Sequence, residues 1–155
     1  MYLCLGSCGY NLYAELHQNY WNRLIHGLFM PFVVYGVFNG TPAVLSQTNY
    51  MNTVMTKMWI YIGFLSYYLL FDPVGSVMSA IVYYPVLHFS LQKHYTAENK
   101  WKDIRESILW ISFAILVQEL FGHTLFESVN SDLYQVFNSI LIAPLFGARS
   151  LFHSV

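Results

Sequence analysis

The run His17-Gln18-Asn19-Tyr20-Trp21-Asn22-Arg23-Leu24-Ile25-His26 is where this chain turns from polar to apolar, and its reading decides the fold. Polar, metal-competent side chains embedded in bilayer-like sequence are costly, so they mark a functional site by default. Asn19 is suited to cap a helix. A helix from Tyr20 to about Phe38 follows, with Pro31 as its expected kink. A second polar group, Gln118, His123 and Glu127, stands in a distant apolar run. The question set by the sequence is whether the two groups meet.

Composition defines the class. Of 155 residues, 56% are hydrophobic, 19% are aromatic and only 10% are charged, against roughly 25% charged in an average soluble domain. A small soluble chain has too much surface per unit volume to hide that much apolar area. The expected fold is therefore all-α: a single integral-membrane domain over residues 1–155, a multi-pass transmembrane bundle of about four to five membrane segments plus a short N-terminal helix. The net charge of −1, with no basic patch interleaved with aromatics, argues against a nucleic-acid partner. Cys4 and Cys8 are read as free thiols, because a disulfide framework needs more cysteines. Residues 1–12 lack the basic start of a secretory signal and the Arg-rich face of a transit peptide, so the expected address is internal.

Along the chain, residues 9–18 form a modest polar-aromatic helix. Asn39-Gly40-Thr41-Pro42 is expected to break the next one. Apolar segments follow at 53–71, 74–91, 107–128 and 133–152, with Asp72-Pro73-Val74-Gly75 as a tight joint. Some fall short of the roughly 20 residues that cross a bilayer unaided; Lys57 and Lys93 are expected to snorkel, with tilt or thinning absorbing the rest. If each segment spans, residues 1–20, the 72–74 turn and the 128–132 joint share one side. That side collects His17, His26, Asp72, His123 and Glu127. The other side holds residues 39–52, the 92–106 loop, the C-terminus, His88, His94 and His153. Lys57, Lys93, Lys100, Lys102, Arg105 and Arg149 also fall there, which by the positive-inside rule faces the cytoplasm or matrix.

His17 and His26 are nine residues apart. On one uninterrupted helix that is about 900°, which puts them on opposite faces. A break at Asn19 is needed for both to face one centre. Asn22 and His26 share a face at i,i+4, and Asn19 and Asn22 can orient ring N–H groups or a substrate. Two interfacial histidines and two capping asparagines would give the same pattern. In the distant run, an α-helix puts His123 and Glu127 one turn apart on one face, and Gly122 lets another helix approach closely. Such a pair alone is more often a simple hydrogen-bonded pair. Three imidazoles with a carboxylate suit Fe(II), Zn or Cu, and open positions beside a carboxylate suit non-haem Fe(II) and O₂.

The pattern Tyr13-x3-His17-x-Asn19-x2-Asn22-x3-His26-x4-Pro31, then Trp110-x7-Gln118-x3-Gly122-His123-x3-Glu127 and Ala143-Pro144, resembles the 2-hydroxy fatty acid dioxygenase family. Tyr68-x3-Asp72-x2-Gly75 is similar to its middle segment, so the resemblance covers nearly the whole chain. Members are small multi-pass membrane proteins of fatty-acid α-oxidation. The resemblance implies Fe(II)-dependent removal of one carbon from a long-chain 2-hydroxy fatty acid by O₂, in phytosphingosine degradation at the endoplasmic reticulum. It implies His17, His26, His123 and Glu127 as metal ligands and catalytic residues, and Asn19, Asn22, Gln118, Tyr13 and Asp72 as substrate-orienting or supporting groups. Two departures stand out: Tyr20 where the family has proline, and Ser131-Asp132 where it has Pro-Ala. Neither touches an expected ligand. A different class fits the same composition: an accessory subunit of a large membrane complex, for instance in the mitochondrial inner membrane, that recruited this fold. Its partners would be other membrane subunits, and its metal site a structural Zn or a relic.

Overall fold

A computed structural model of the chain describes residues 11, 14, 17–45, 50–93, 99–127 and 142–151, with the side chains of Glu127 and Ser150 excepted. Cys4, Cys8, Tyr13, His94, Ser131, Asp132 and His153 lie outside the described residues, as does residue range 133–141 of the expected last segment. The described residues are all-helical, without strands. Helix α1 is Tyr20–Val44, α2 is Tyr50–Leu69, α3 is Pro73–Gln92 and α4 is Lys100–Val117. A π-helical segment, Gln118–Glu127, continues α4 directly, and a short α5 covers Ala143–Ser150. Three helical stretches are long and apolar enough to cross a membrane: Tyr20–Val44, Pro73–Gln92 and Lys100–Phe126.

Local chemistry explains the boundaries. Asn19 caps α1 from an extended backbone, its Oδ1 accepting the Trp21 amide at 2.9 Å, which satisfies one of the unpaired N–H groups at a helix start. Asp72 caps α3 through Gly75 N–H, 3.0 Å from its Oδ1, and Pro73 opens the first turn, where a missing N–H costs nothing. The expected break at 39–42 does not occur, and α1 runs on through Pro42 to Val44. The side chains of Asn39 and Thr41 donate to the Tyr35 and Val37 carbonyls. Tertiary packing outweighs the weak local propensity: Gly36 and Gly40 lie directly on α4, where a Cβ at Gly36 would meet Ile111 and the Ser107 carbonyl, and one at Gly40 would meet Ser107. Small residues four apart let two helix backbones approach where lipid gives no hydrophobic drive to associate.

Antiparallel neighbours joined by short connections give the bundle two ends. One carries the start of α1, the α2–α3 joint and the end of the π segment. The other carries the end of α1, the start of α2, the end of α3 and the start of α4. Val34, Phe38, Tyr83, Leu87 and Ala148 form the apolar core between them. Outward positions are large and apolar, including Trp59, Ile81, Phe89 and Leu109. This surface suits lipid and would be a liability in water.

Two charged residues sit elsewhere than the sequence suggests. Arg149 is at the His17 end, not the opposite end, because α5 lays Leu145 against Gly75 and pairs Arg149 with Asp72 at 3.2 Å. Lys57 does not snorkel outward. It is 2% exposed, and its ammonium donates to Asn39 Oδ1 at 3.1 Å and to the Ser90 and Lys93 carbonyls at 2.6 and 3.3 Å. Those carbonyls end α3, so a lysine from α2 places its positive charge and its donors on the C-terminal acceptors of a neighbouring helix, the Ser90 carbonyl also taking the Lys93 amide. Moving Arg149 narrows the charge asymmetry between the two ends without reversing it.

Candidate metal centre

Three elements build the site. His17 precedes α1, and its amide donates to the Ala14 carbonyl at 3.1 Å. His26 lies within α1, and His123 within the π segment. The extended backbone at Asn19 is the break that lets His17 fold back onto the face carrying His26. The two Nε2 atoms lie 3.1 Å apart. Ring centroids are 4.5 Å apart for His17–His26, 4.7 Å for His17–His123 and 5.4 Å for His26–His123. One ligand nitrogen from each of the three falls within 4.8 Å of the others, and the three residues are 2%, 3% and 7% exposed. Facing Nε2 atoms at hydrogen-bond distance cannot both carry a hydrogen, so at least one lone pair points inward. Such a cluster is close enough to hold one metal ion.

The π geometry explains how the third histidine arrives. An α-helix would set Gln118 and His123 well apart around the axis, at about 100° per residue. In a π-helix the bonds run i→i+5, so residues five apart return to one face. Gln118, Gly122 and His123 are indeed the buried positions, while Leu120, Phe121, Thr124 and Leu125 are exposed. The Thr124 hydroxyl follows the same spacing, donating to the Glu119 carbonyl at 3.0 Å. The simple α-helical i,i+4 geometry expected for His123 and Glu127 therefore does not apply. The Glu127 side chain, expected as a fourth ligand, lies outside the described residues, as does Tyr13.

Asn22 is one α-turn before His26, as the spacing requires, and is fully buried. Its carboxamide occupies the space over Gly122: a Cβ there would collide with Asn22 Oδ1, and that same position is 3.8 Å from His26 Nε2. Gly122 thus permits the close approach expected of it. Among the described residues, neither Oδ1 nor Nδ2 of Asn22 has a hydrogen-bond partner, and neither has Gln118 Nε2, on a side chain 4% exposed. An unsatisfied buried polar group costs about 1–3 kcal/mol, so unpaired carboxamide atoms beside three clustered imidazoles are what a site for a polar guest requires. The residues present fit a first-row metal ion together with a hydrogen-bonding ligand.

The remaining expected site residues have other work. Asn19 donates its Nδ2 to the Phe126 carbonyl at 3.2 Å while its Oδ1 caps α1. It thereby ties the start of α1 to the end of the π segment and holds His17 and His123 in register. Asp72 caps α3 and pairs with Arg149, bracing α5. From α5, Phe146 packs on His17 with centroids 5.2 Å apart, and Gly147 lets that backbone come within 3.1 Å of the His26 carbonyl, measured from an added Cβ.

A second polar cluster, at the opposite end, escaped the sequence reading. Lys57, Asn39 and Ser90 meet there, with Ser90 Oγ donating to Asn39 Oδ1 at 3.0 Å. Lys93, just past α3, pairs with Asp103 at 3.0 Å and Glu106 at 2.7 Å. Burial lowers the Lys93 pKa, but hydrogen bonds and charge from Glu106 and Asp103 outweigh it and hold the group above the usual lysine value. The available signal was an ionisable residue well inside an apolar helix, Lys57, which by itself marks a buried partner.

Comparison with protein-family models, with curated proteins and with solved structures yields no match to this chain.

Proposed function

We propose that this chain is an integral-membrane, Fe(II)-dependent dioxygenase that shortens long-chain 2-hydroxy fatty acids by one carbon, acting in the endoplasmic reticulum. The observation that carries the reading is the convergence of His17, His26 and His123, from distant parts of the sequence, into one buried cluster. The motif resemblance supplies the reaction and substrate class.

His17, His26 and His123 would hold the metal. Fe(II) held there would activate O₂ toward an organic substrate, with the hydroxy acid itself supplying the electrons that reduce O₂ as it loses its carboxyl carbon. The protein's own part is positioning and exclusion. The imidazoles are buried, and Phe146 closes over His17, so bulk water is kept from the reacting carbon. Asn22 brings unpaired carboxamide atoms beside His26, and Gln118 brings one to the π-segment face that carries His123, where they can fix the polar end of a fatty acid. The apolar helix faces accommodate the tail, as is usual for sites that select long chains.

The test is metal analysis and turnover on the detergent-purified protein. One iron per chain, with O₂-dependent conversion of 2-hydroxypalmitate to the C15 acid, is the expected result. His26→Ala and His123→Ala each should abolish iron retention and turnover together. Metal retained without turnover would instead favour a recruited subunit with a structural site, and absence of metal binding in folded protein would end the reading.

A further inference from the structure

The unpaired atoms beside the triad specify more than the presence of a guest. Among the described residues, Asn22 is buried with both Oδ1 and Nδ2 unpartnered, and Gln118 is buried with Nε2 unpartnered. The set amounts to N–H donors from two carboxamides and one carbonyl acceptor. Exchanging the assigned O and N of Asn22 leaves its contribution unchanged. Asn22 lies over Gly122 beside His26, and Gln118 is buried on the same π-helical face as Gly122 and His123. The open valences of Asn22 therefore border the α1–π seam at which the histidines gather, and Gln118 adds its own from the same face of the π segment.

A plain carboxylate answers only part of this set. Its oxygens accept from Nδ2 and Nε2, but it has no hydrogen for Asn22 Oδ1, which would then face another acceptor. An acid with a hydroxyl on the adjacent carbon answers all of it: carboxylate oxygens for the N–H groups and an O–H for the carbonyl. We infer that Asn22 and Gln118 form a hydroxy-acid clamp, with Asn22 as the residue that distinguishes a 2-hydroxy acid from the unsubstituted acid. This rests on the proposed function for the nature of the guest, but assigns selectivity to two residues that do not hold the metal. A site built to hydrogen-bond a hydroxyl rejects the analogue lacking it because its own polar atoms are left unpaired.

The experiment separates binding from catalysis. Wild-type protein in detergent, both metal-free and loaded with redox-inactive Zn(II), is titrated anaerobically with 2-hydroxypalmitate and with palmitate, and binding is read from tryptophan fluorescence. Wild-type protein in at least one form should prefer the hydroxy acid by about tenfold or more. Asn22→Leu, close in size, should bring the preference to near unity while Zn(II) content stays as in wild type. Asn22→Asp keeps an acceptor and loses the donor, so it should weaken both acids yet retain the preference. Gln118→Met should weaken both acids and leave the ratio unchanged. Equal affinity for the two acids in both forms of the wild type, or a preference that survives in folded Asn22→Leu, overturns the inference; the orphaned atoms then hold an internal water. A protein that shows the preference but fails to turn over with Fe(II) retains the clamp and loses only the catalytic reading.

Discussion

The two ends of the bundle each bury a polar cluster in apolar sequence, and they differ in how well they are satisfied. Around Lys57, every proton of the ammonium has an acceptor, Asn39 Oδ1 accepts twice, and Lys93 has two carboxylates. Among the described residues, Ser107 Oγ is the one buried side-chain atom at that end without a hydrogen-bond partner. At the histidine end, the carboxamide of Asn22 and the Nε2 of Gln118 have no partner among the described residues. A satisfied buried network stabilises one arrangement of helices; an unsatisfied one carries a cost that only a guest removes. The difference fits a structural role at one end and, on the proposed function, chemistry at the other.

The largest effect expected from this contrast is on folding. Lys57→Met strips the Lys93 carbonyl of the ammonium and takes one of two donors from both Asn39 Oδ1 and the Ser90 carbonyl, which should cost about 1–3 kcal/mol in reversible unfolding from mixed micelles. Metal content per folded molecule should be unchanged. Loss of metal alongside stability would break the division between the ends. At the other end the sign reverses. Asn22→Leu removes unpaired polar atoms without stranding a partner, so stability of the metal-free protein should stay level or rise by up to about 1 kcal/mol. A destabilisation comparable to that of Lys57→Met would mean that Asn22 is structural after all.

The smallest effect concerns pH. Because the Lys93 pKa is raised on folding, its contribution is fully present below the ordinary lysine value of about 10.4. It is lost as pH rises beyond that through the raised folded value. Comparing unfolding free energies at neutral pH and above pH ~10.5, Lys93→Met should lower stability by about 1 kcal/mol or less at neutral pH, since the cluster is partly exposed. The difference from wild type should shrink at alkaline pH. A variant that follows the wild-type pH curve throughout would remove Lys93 from the network.

Much of this was legible before any fold was known. Apolar runs between short polar joints predict membrane helices, because backbone groups in lipid must be satisfied within the segment. The capping residues Asn19 and Asp72 mark helix starts that the structure contains, since a cap is a local event between a side chain and an amide two or three residues away. The alternation of sides along consecutive segments was enough to bring His17, His26 and His123 to one end. Three readings that the structure reverses turn on contact between distant residues. Asn39-Gly40-Thr41-Pro42 reads as a break, and only the glycine-mediated seat on α4 keeps it helical. Lys57 reads as a snorkelling residue, and only Asn39 and the carbonyls that end α3 make its burial tolerable. Arg149 reads as far-side, and only the docking of α5 against Asp72 returns it.

The opening run illustrates the boundary. Sequence alone determined that His17 and His26 could share a centre only if the helix broke at Asn19, because a nine-residue spacing on a regular helix forbids it. Tertiary structure decided that they do. It also decided that a π segment, not an α-helix, presents His123, and that Asn22 meets Gly122 with its hydrogen bonds unmade. Helical periodicity is written in every few residues of the chain, whereas the satisfaction of a buried polar atom depends on whichever side chains other helices bring to it.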